Sequence, residues 1–132
     1  MGAPFILVNE YAIQPDKTGE FLEAFRAIVD IAEAHEPELL YFAEHLSEDG
    51  TQGSTVQVHA SAQNMERHMQ LVGEHIARLV HYLEFEAIRI YGTPTDSVLE
   101  QLRQIAGDRV TVRPLSVGFD RFLDRETQVS PR

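Results

Sequence analysis

The hydrophobic pattern changes period several times along the chain, and each change marks an element. Phe5 to Ile13 is β-branched and aromatic with apolar residues on both alternating faces, and it stops at Gln14-Pro15-Asp16. That pattern predicts a first strand covered on both sides. From Thr18 the spacing becomes helical: Phe21, Leu22, Phe25, Ile28, Val29 and Ala32 form one stripe, with Glu20, Glu23, Arg26, Asp30 and Glu33 around it. An amphipathic helix of about 18 residues follows, started by Asp16 or Thr18 and stopped by His35-Glu36-Pro37.

Leu39 to Leu46 reads as a second strand, the segment from Ser47 to Gly53 as a turn, and Thr55 to Ala60 as the return strand of a hairpin. Ser61 is placed to cap a second helix carrying Met65, His68, Met69, Val72, Ile76, Leu79 and Leu83, which Gly73 is expected to break. Phe85 to Tyr91 is a fourth strand. A third helix turns Val98, Leu99, Leu102 and Ile105 inward and closes at Gly107. Arg109 to Leu115 is a last strand, confined to a sheet edge by Pro114, and Gly118 to Arg132 is a tail.

The order β-α-β-β-α-β, then α-β, predicts an α+β, ferredoxin-like antiparallel sheet with its first two helices on one face. Strands that are apolar on both sides cannot leave the other face bare. A second copy covers it most economically, giving a homodimer whose two sheets form one barrel. The expected division is a ferredoxin-like domain over residues 1–92, a helix-strand extension of it over 93–117, and a tail over 118–132.

Composition narrows the chemistry. With 132 residues, 43% hydrophobic and 24% charged, the chain suits one globular domain. No apolar run approaches the roughly 20 residues of a membrane span. Pro4 to Val8 lacks the basic flank of a secretory signal, and Ile6 stands where myristoylation wants Ser or Thr. A cytoplasmic protein that does not engage membranes is expected. Cysteine is absent, which excludes disulfides, thiolate metal sites and a cysteine nucleophile. The net charge is −10, and residues 1–49 alone carry eleven acidic side chains against two basic ones. Nucleic-acid binding draws on clustered Lys and Arg, so no nucleic-acid partner is expected.

Several polar residues fall where apolar ones are expected. Asn9 interrupts an apolar strand face; it either binds a ligand oxygen or pairs with a neighbouring strand or a second copy. His59, on the face shared with Thr55 and Gln57, is a candidate base beside Asn9 or else an exposed strand residue. His68 is a pocket residue or a packing residue on its helix. His68 and His75 are seven residues, about 10.5 Å, apart, too far to share one metal ion, so no metal site is expected. His75 and His81 are expected at the surface, and His35 at a helix end. Arg89 alternates with Tyr91 opposite Ile88 and Ile90; it either holds a substrate anion or pairs with Glu10, Glu44 or Glu86. Tyr11 and Tyr41 are candidate stacking walls. Nucleotide, phosphate-loop and nucleophile-elbow motifs are missing, so no cofactor is expected and any oxidation falls to the substrate and O2.

Val8-Asn9-Glu10-Tyr11 with Gln14-Pro15, the helix carrying Glu20-Phe21-Leu22 and Phe25, Glu36-Pro37, the hairpin, His59-Ala60-Ser61 and a helix with His68 together resemble the dimeric α/β-barrel superfamily. Within it they resemble the antibiotic-biosynthesis-monooxygenase-like group, over residues 5–91. The resemblance implies a ferredoxin-like homodimer with a pocket between each sheet and its helices. It implies cofactor-free oxidation of quinol-like or polyketide aromatics by O2, with Asn9 on the substrate and His68 matching the family's helix histidine, while His59 stands where the family often has a tryptophan. With the residue readings above, Asn9, His59 and His68 are the expected catalytic residues and Tyr11, Tyr41, Arg89 and Tyr91 the expected contacts to a small-molecule substrate. The alternatives within the same resemblance are a non-catalytic ligand-binding or stress-related dimer and a haem-handling relative. Haem-degrading relatives use a tryptophan against the haem, and this chain has none.

Overall fold

In the computed structural model, which describes residues 3–122, the chain builds one five-stranded sheet covered on one face by helices. The elements run β1 (Phe5–Ile13), α1 (Thr18–His35), β2 (Leu39–Leu46), β3 (Gln52–His59), α2 (Ala62–Leu79), β4 (Leu83–Tyr91), α3 (Asp96–Ala106) and β5 (Val110–Arg113). The strand order is β2-β3-β1-β4-β5; β1 pairs antiparallel with β3 and β4, β2 antiparallel with β3, and β5 parallel to β4. This is the ferredoxin-like α+β arrangement expected, with β5 on the predicted edge.

Two packing clusters hold the layers together. Phe21, Phe25 and Ile28 of α1 meet Tyr11, Ile13, Leu83, Val72 and Leu79 in one cluster. Met65 and Met69 of α2 and Val98, Leu102 and Ala106 of α3 cover Phe5, Leu7, Ile88, Ile90 and Val110 in another. Ser61 Oγ accepts from the Asn64 amide at 3.2 Å and Thr95 Oγ1 from the Val98 amide at 3.3 Å, so α2 and α3 start on side-chain caps. α1 starts differently: neither Asp16 nor Thr18 caps it, and Thr18 Oγ1 instead donates to the Gly50 carbonyl at 2.8 Å, tying the helix to the hairpin turn.

Four sequence expectations are corrected. α2 runs unbroken through Gly73, because burial of Val72, Met69 and Ile76 around it outweighs about 1 kcal/mol of glycine propensity. Leu83 belongs to β4, which begins two residues earlier than expected, after a short 3₁₀ turn at Val80–Tyr82. In α3 the buried stripe follows four-residue steps, Val98–Leu102–Ala106, and Ile105 lies on its exposed flank. β3 begins at Gln52, and β5 ends before Pro114, which cannot donate to a ladder. Residues 123–132 of the expected tail lie outside the described residues.

The two faces of β3 invert the usual rule. Facing the helices, β3 presents Thr55, Gln57 and His59, at 3%, 5% and 0% exposure. Facing away, Val56 and Val58 stand beside Val8 and Ile6 of β1. On β3, then, polar residues are inside and apolar ones are on the open face, while β1 and β4 keep Phe5, Leu7, Ile88 and Ile90 inside.

Candidate functional site

The polar residues between sheet and helices collect along β3. Glu36, Thr55, Gln57, His59, Asn64 and His68 are all buried. Burying that many polar groups costs free energy unless each finds a partner. Asn64 Nδ2 donates to His59 Nδ1 at 2.9 Å, and His59 Nε2 then donates to Gln57 Oε1 at 2.9 Å. Both ring nitrogens of His59 are thereby engaged. Burial, with the nearby His68 adding to it, pushes its pKa down from 6.5 to about 3, so it stays neutral.

His68 is held differently. Its Nδ1 donates to Glu36 Oε2 at 2.7 Å, with both side chains only 1% exposed. Glu36 reaches this position because α1 ends there: its amide still bonds the Ala32 carbonyl at 2.9 Å while the backbone turns toward β2. The His68 ring stands edge-on to Phe42 at 5.2 Å and to His59 at 5.4 Å. Among the described residues Nε2 has no hydrogen-bond partner, leaving one lone pair for a ligand.

Three buried acceptors also lack a donor: Asn9 Oδ1, Glu36 Oε1 and Asn64 Oδ1. Asn9 lies opposite Thr55 on the helix-facing side of the sheet, so it shares that side with His59, Gln57 and Tyr11. Its side chain makes no hydrogen bond among the described residues, which removes pairing with a neighbouring strand of this chain.

Tyr11 completes a second cluster. Its hydroxyl donates to Glu44 Oε2 at 2.6 Å and takes the Thr55 hydroxyl's hydrogen bond at 2.7 Å. Burial and the Glu44 carboxylate both raise the Tyr11 pKa, and burial raises that of Glu44. Gly53 makes the approach possible, since a Cβ there would run into Glu44 Oε2 and the Tyr11 ring.

The seven residues singled out from sequence therefore divide between two faces. Asn9, Tyr11, His59 and His68 lie inside; Tyr41, Arg89 and Tyr91 lie on the open face. Arg89 pairs with Glu10 there at 2.8 Å, and the bond to Glu10 raises its pKa. Tyr41, 46% exposed, stacks on His45. Of the remaining histidines, His35 ends α1 and His81 is exposed, but His75 is half-buried, its Nδ1 3.0 Å from Arg78 of the same helix. Sequence reading passed over Asn64, Gln57 and Phe42, and saw Glu36 only as a helix stop. The one local signal was the alternation of Thr55, Gln57 and His59, which looks the same whether that face is wet or buried.

Among the described residues no group of three or more His, Asp or Glu is placed to hold a metal ion, and no helix is long and apolar enough to cross a membrane.

No protein-family model matches the chain, and its sequence has no match among curated proteins. Solved structures do match. MupZ from Pseudomonas fluorescens superposes with a TM-score of 0.72 at 20% identity, over 92% of this chain and 91% of that one. SnoaB from Streptomyces nogalater, a cofactor-independent oxygenase, matches at 0.59 and 15% identity, over 70% of this chain and 94% of that one. A protein of Caulobacter crescentus, named as a candidate antibiotic biosynthesis monooxygenase, matches at 0.59 and 20%, over 67% and 85%. The chain has the fold of these proteins, candidate antibiotic biosynthesis monooxygenases among them.

Proposed function

We propose that this chain is a cofactor-independent monooxygenase acting on a small quinol-like or polyketide aromatic held between the sheet and its helices. The observation that carries this reading is the buried Glu36–His68 pair with His68 Nε2 unengaged, beside acceptors that lack donors. The substrate hydroxyl gives its proton to His68 Nε2; Nδ1–H stays on Glu36, whose carboxylate offsets the imidazolium charge. The ionised aromatic then reacts with O2: a ring CH2 becomes C=O with one oxygen atom, and its two hydrogens leave with the other as water, so the substrate supplies every electron. Asn9 Nδ2 donates to the substrate oxygen and holds the oxyanion that follows. Of the two candidate bases His68 is preferred, because the nitrogens of His59 are both bonded and its pKa of about 3 makes it a weak base. His59 orients the wall. Tyr11 is a wall residue, its hydroxyl spent on Glu44 and Thr55.

The test is oxygen uptake by metal-stripped protein with quinols and anthrones. Uptake is expected, and it should fall by about 10² to 10⁴ in His68→Ala, the usual contribution of a general base. Uptake that persists in His68→Ala, or none with any member of the panel, would remove the reading.

The same proposal includes a homodimer. Ile6, Val8, Val56 and Val58 form an apolar strip on the open face, and Tyr41, Arg89 and Tyr91 flank it. They are then contacts to a second copy rather than to substrate. Native mass spectrometry should show twice the chain mass of 14.9 kDa. A species at 14.9 kDa alone would rule the dimer out.

A further inference from the structure

Nothing inside the molecule reaches His68 from solvent without displacing a side chain, since its own side chain is 1% exposed. Two surface clefts stop just short of it. One, of about 440 Å³, lies between the end of α1 and α2 and ends on Glu36, with Arg67, Gln70 and Leu71 on its walls. The other, of about 360 Å³, lies between the second half of α1 and β2; Val29, Ala32, Leu39 and Leu40 form most of its walls, with Glu33 and Tyr41, and it includes Phe42.

The two stoppers are held very differently. Glu36 is fixed by its 2.7 Å bond to His68 and by its backbone, whose amide bonds Ala32 and whose carbonyl accepts from the Leu39 amide at 3.1 Å. Moving it dismantles the pair it guards. Phe42, paired with Gln57 through its backbone, has a side chain held by packing alone, tilted on Phe25 at 5.4 Å and edge-on to His68 at 5.2 Å. It also sits on β2, an edge strand with no neighbour on its far side among the described residues. Just before it the pairing with β3 slips: Leu39 is opposite His59 and Tyr41 opposite Val58, so Leu40 is an extra residue. Such a bulge re-aims side chains and loosens the ladder locally.

We infer that Phe42 is the gate of the His68 site: a flat aromatic enters from the apolar α1–β2 cleft by displacing this ring, and the ring's size sets which ligands pass. The inference rests on the proposed site between sheet and helices, and it adds the route and the residue that controls it. Apolar walls ending on an aromatic edge suit the body of such a ligand, and the acceptors beyond suit its hydroxyls.

Diethyl pyrocarbonate, which acylates unprotonated imidazole nitrogens, tests this without any turnover. The rate at His68 is read by mass spectrometry of its peptide and referred to exposed His81 in the same sample. Phe42→Ala should speed His68 modification about tenfold or more, as expected when access is limited by a local opening. Phe42→Trp should slow it, and Leu71→Trp, which fills the other cleft, should leave it unchanged. His59, with both nitrogens bonded, should stay unmodified throughout. Equal rates in all three Phe42 proteins, or slowing by Leu71→Trp, would overturn the gate. If His59 reacts together with His68 in Phe42→Ala, that variant has opened globally and Phe42→Trp decides: slowing supports the gate, no change overturns it. Failure of oxygen uptake with a normal acylation pattern would remove the oxygenase and leave the gate standing.

Discussion

Lowering the pH from about 7.5 to about 5 is expected to remove roughly 2 kcal/mol of folding stability through His59 alone. Its pKa falls from 6.5 to about 3 on folding, chiefly because burial disfavours the imidazolium. The sign follows from proton counting. Below pH 6.5 the unfolded chain takes up a proton that the folded chain refuses, so stability is fully present above that pH and drains away down to about 3. At about 1.4 kcal/mol per pH unit, the interval from 6.5 to 5 gives the quoted figure. By pH 4 the loss reaches about 3.5 kcal/mol, most of the stability of a domain at the low end of the ordinary range of about 5–15 kcal/mol. Glu44 works against this trend, because its raised pKa lets the folded chain bind a proton more readily as pH falls. Urea unfolding at the two pH values checks it: the midpoint should drop at the lower pH with an unchanged slope. Equal midpoints would mean that water or a ligand reaches His59 and that the bonds to Gln57 and Asn64 are not as described.

The same histidine shows where the sequence could be read and where it could not. Element order and sheet topology follow from periodicity, because Phe21, Phe25 and Ile28, or Met65, Met69 and Val72, mark a buried helical stripe whatever they touch. Alternation on a strand carries less. It places Thr55, Gln57 and His59 on one face and Val56 and Val58 on the other, yet the ordinary assumption that the polar face is wet gives the wrong side here. The expectation that His59 and Asn9 share a face was correct, since register pairs Asn9 with Thr55. That Arg89 and Tyr91 point away from Ile88 and Ile90 was also correct. It places them across the sheet from Asn9, which lies opposite Ile88, so one interior pocket cannot contain the whole set. Glu36 was out of reach for another reason. Its partner His68 is 32 residues away, and only the packing of α1 against α2 brings the two together.

That pair provides the other large effect. Glu36→Ala is expected to cost about 1–3 kcal/mol, because it leaves the buried Nδ1–H of His68 without an acceptor where water cannot easily replace it. Glu36→Gln should cost far less, since an amide oxygen still accepts from Nδ1. On the proposed mechanism it should nonetheless depress turnover, because a neutral amide no longer stabilises the imidazolium. The informative variant is Glu36→Leu combined with His68→Phe. A buried polar pair replaced by apolar residues of similar volume is often neutral or stabilising, by up to about 4 kcal/mol. If the pair is kept for chemistry, the double variant should unfold at or above the wild-type urea midpoint and take up no oxygen. A double variant as unstable as the sum of its single variants would mean that Glu36–His68 serves to hold α1 against α2, and the base would have to be sought elsewhere along β3.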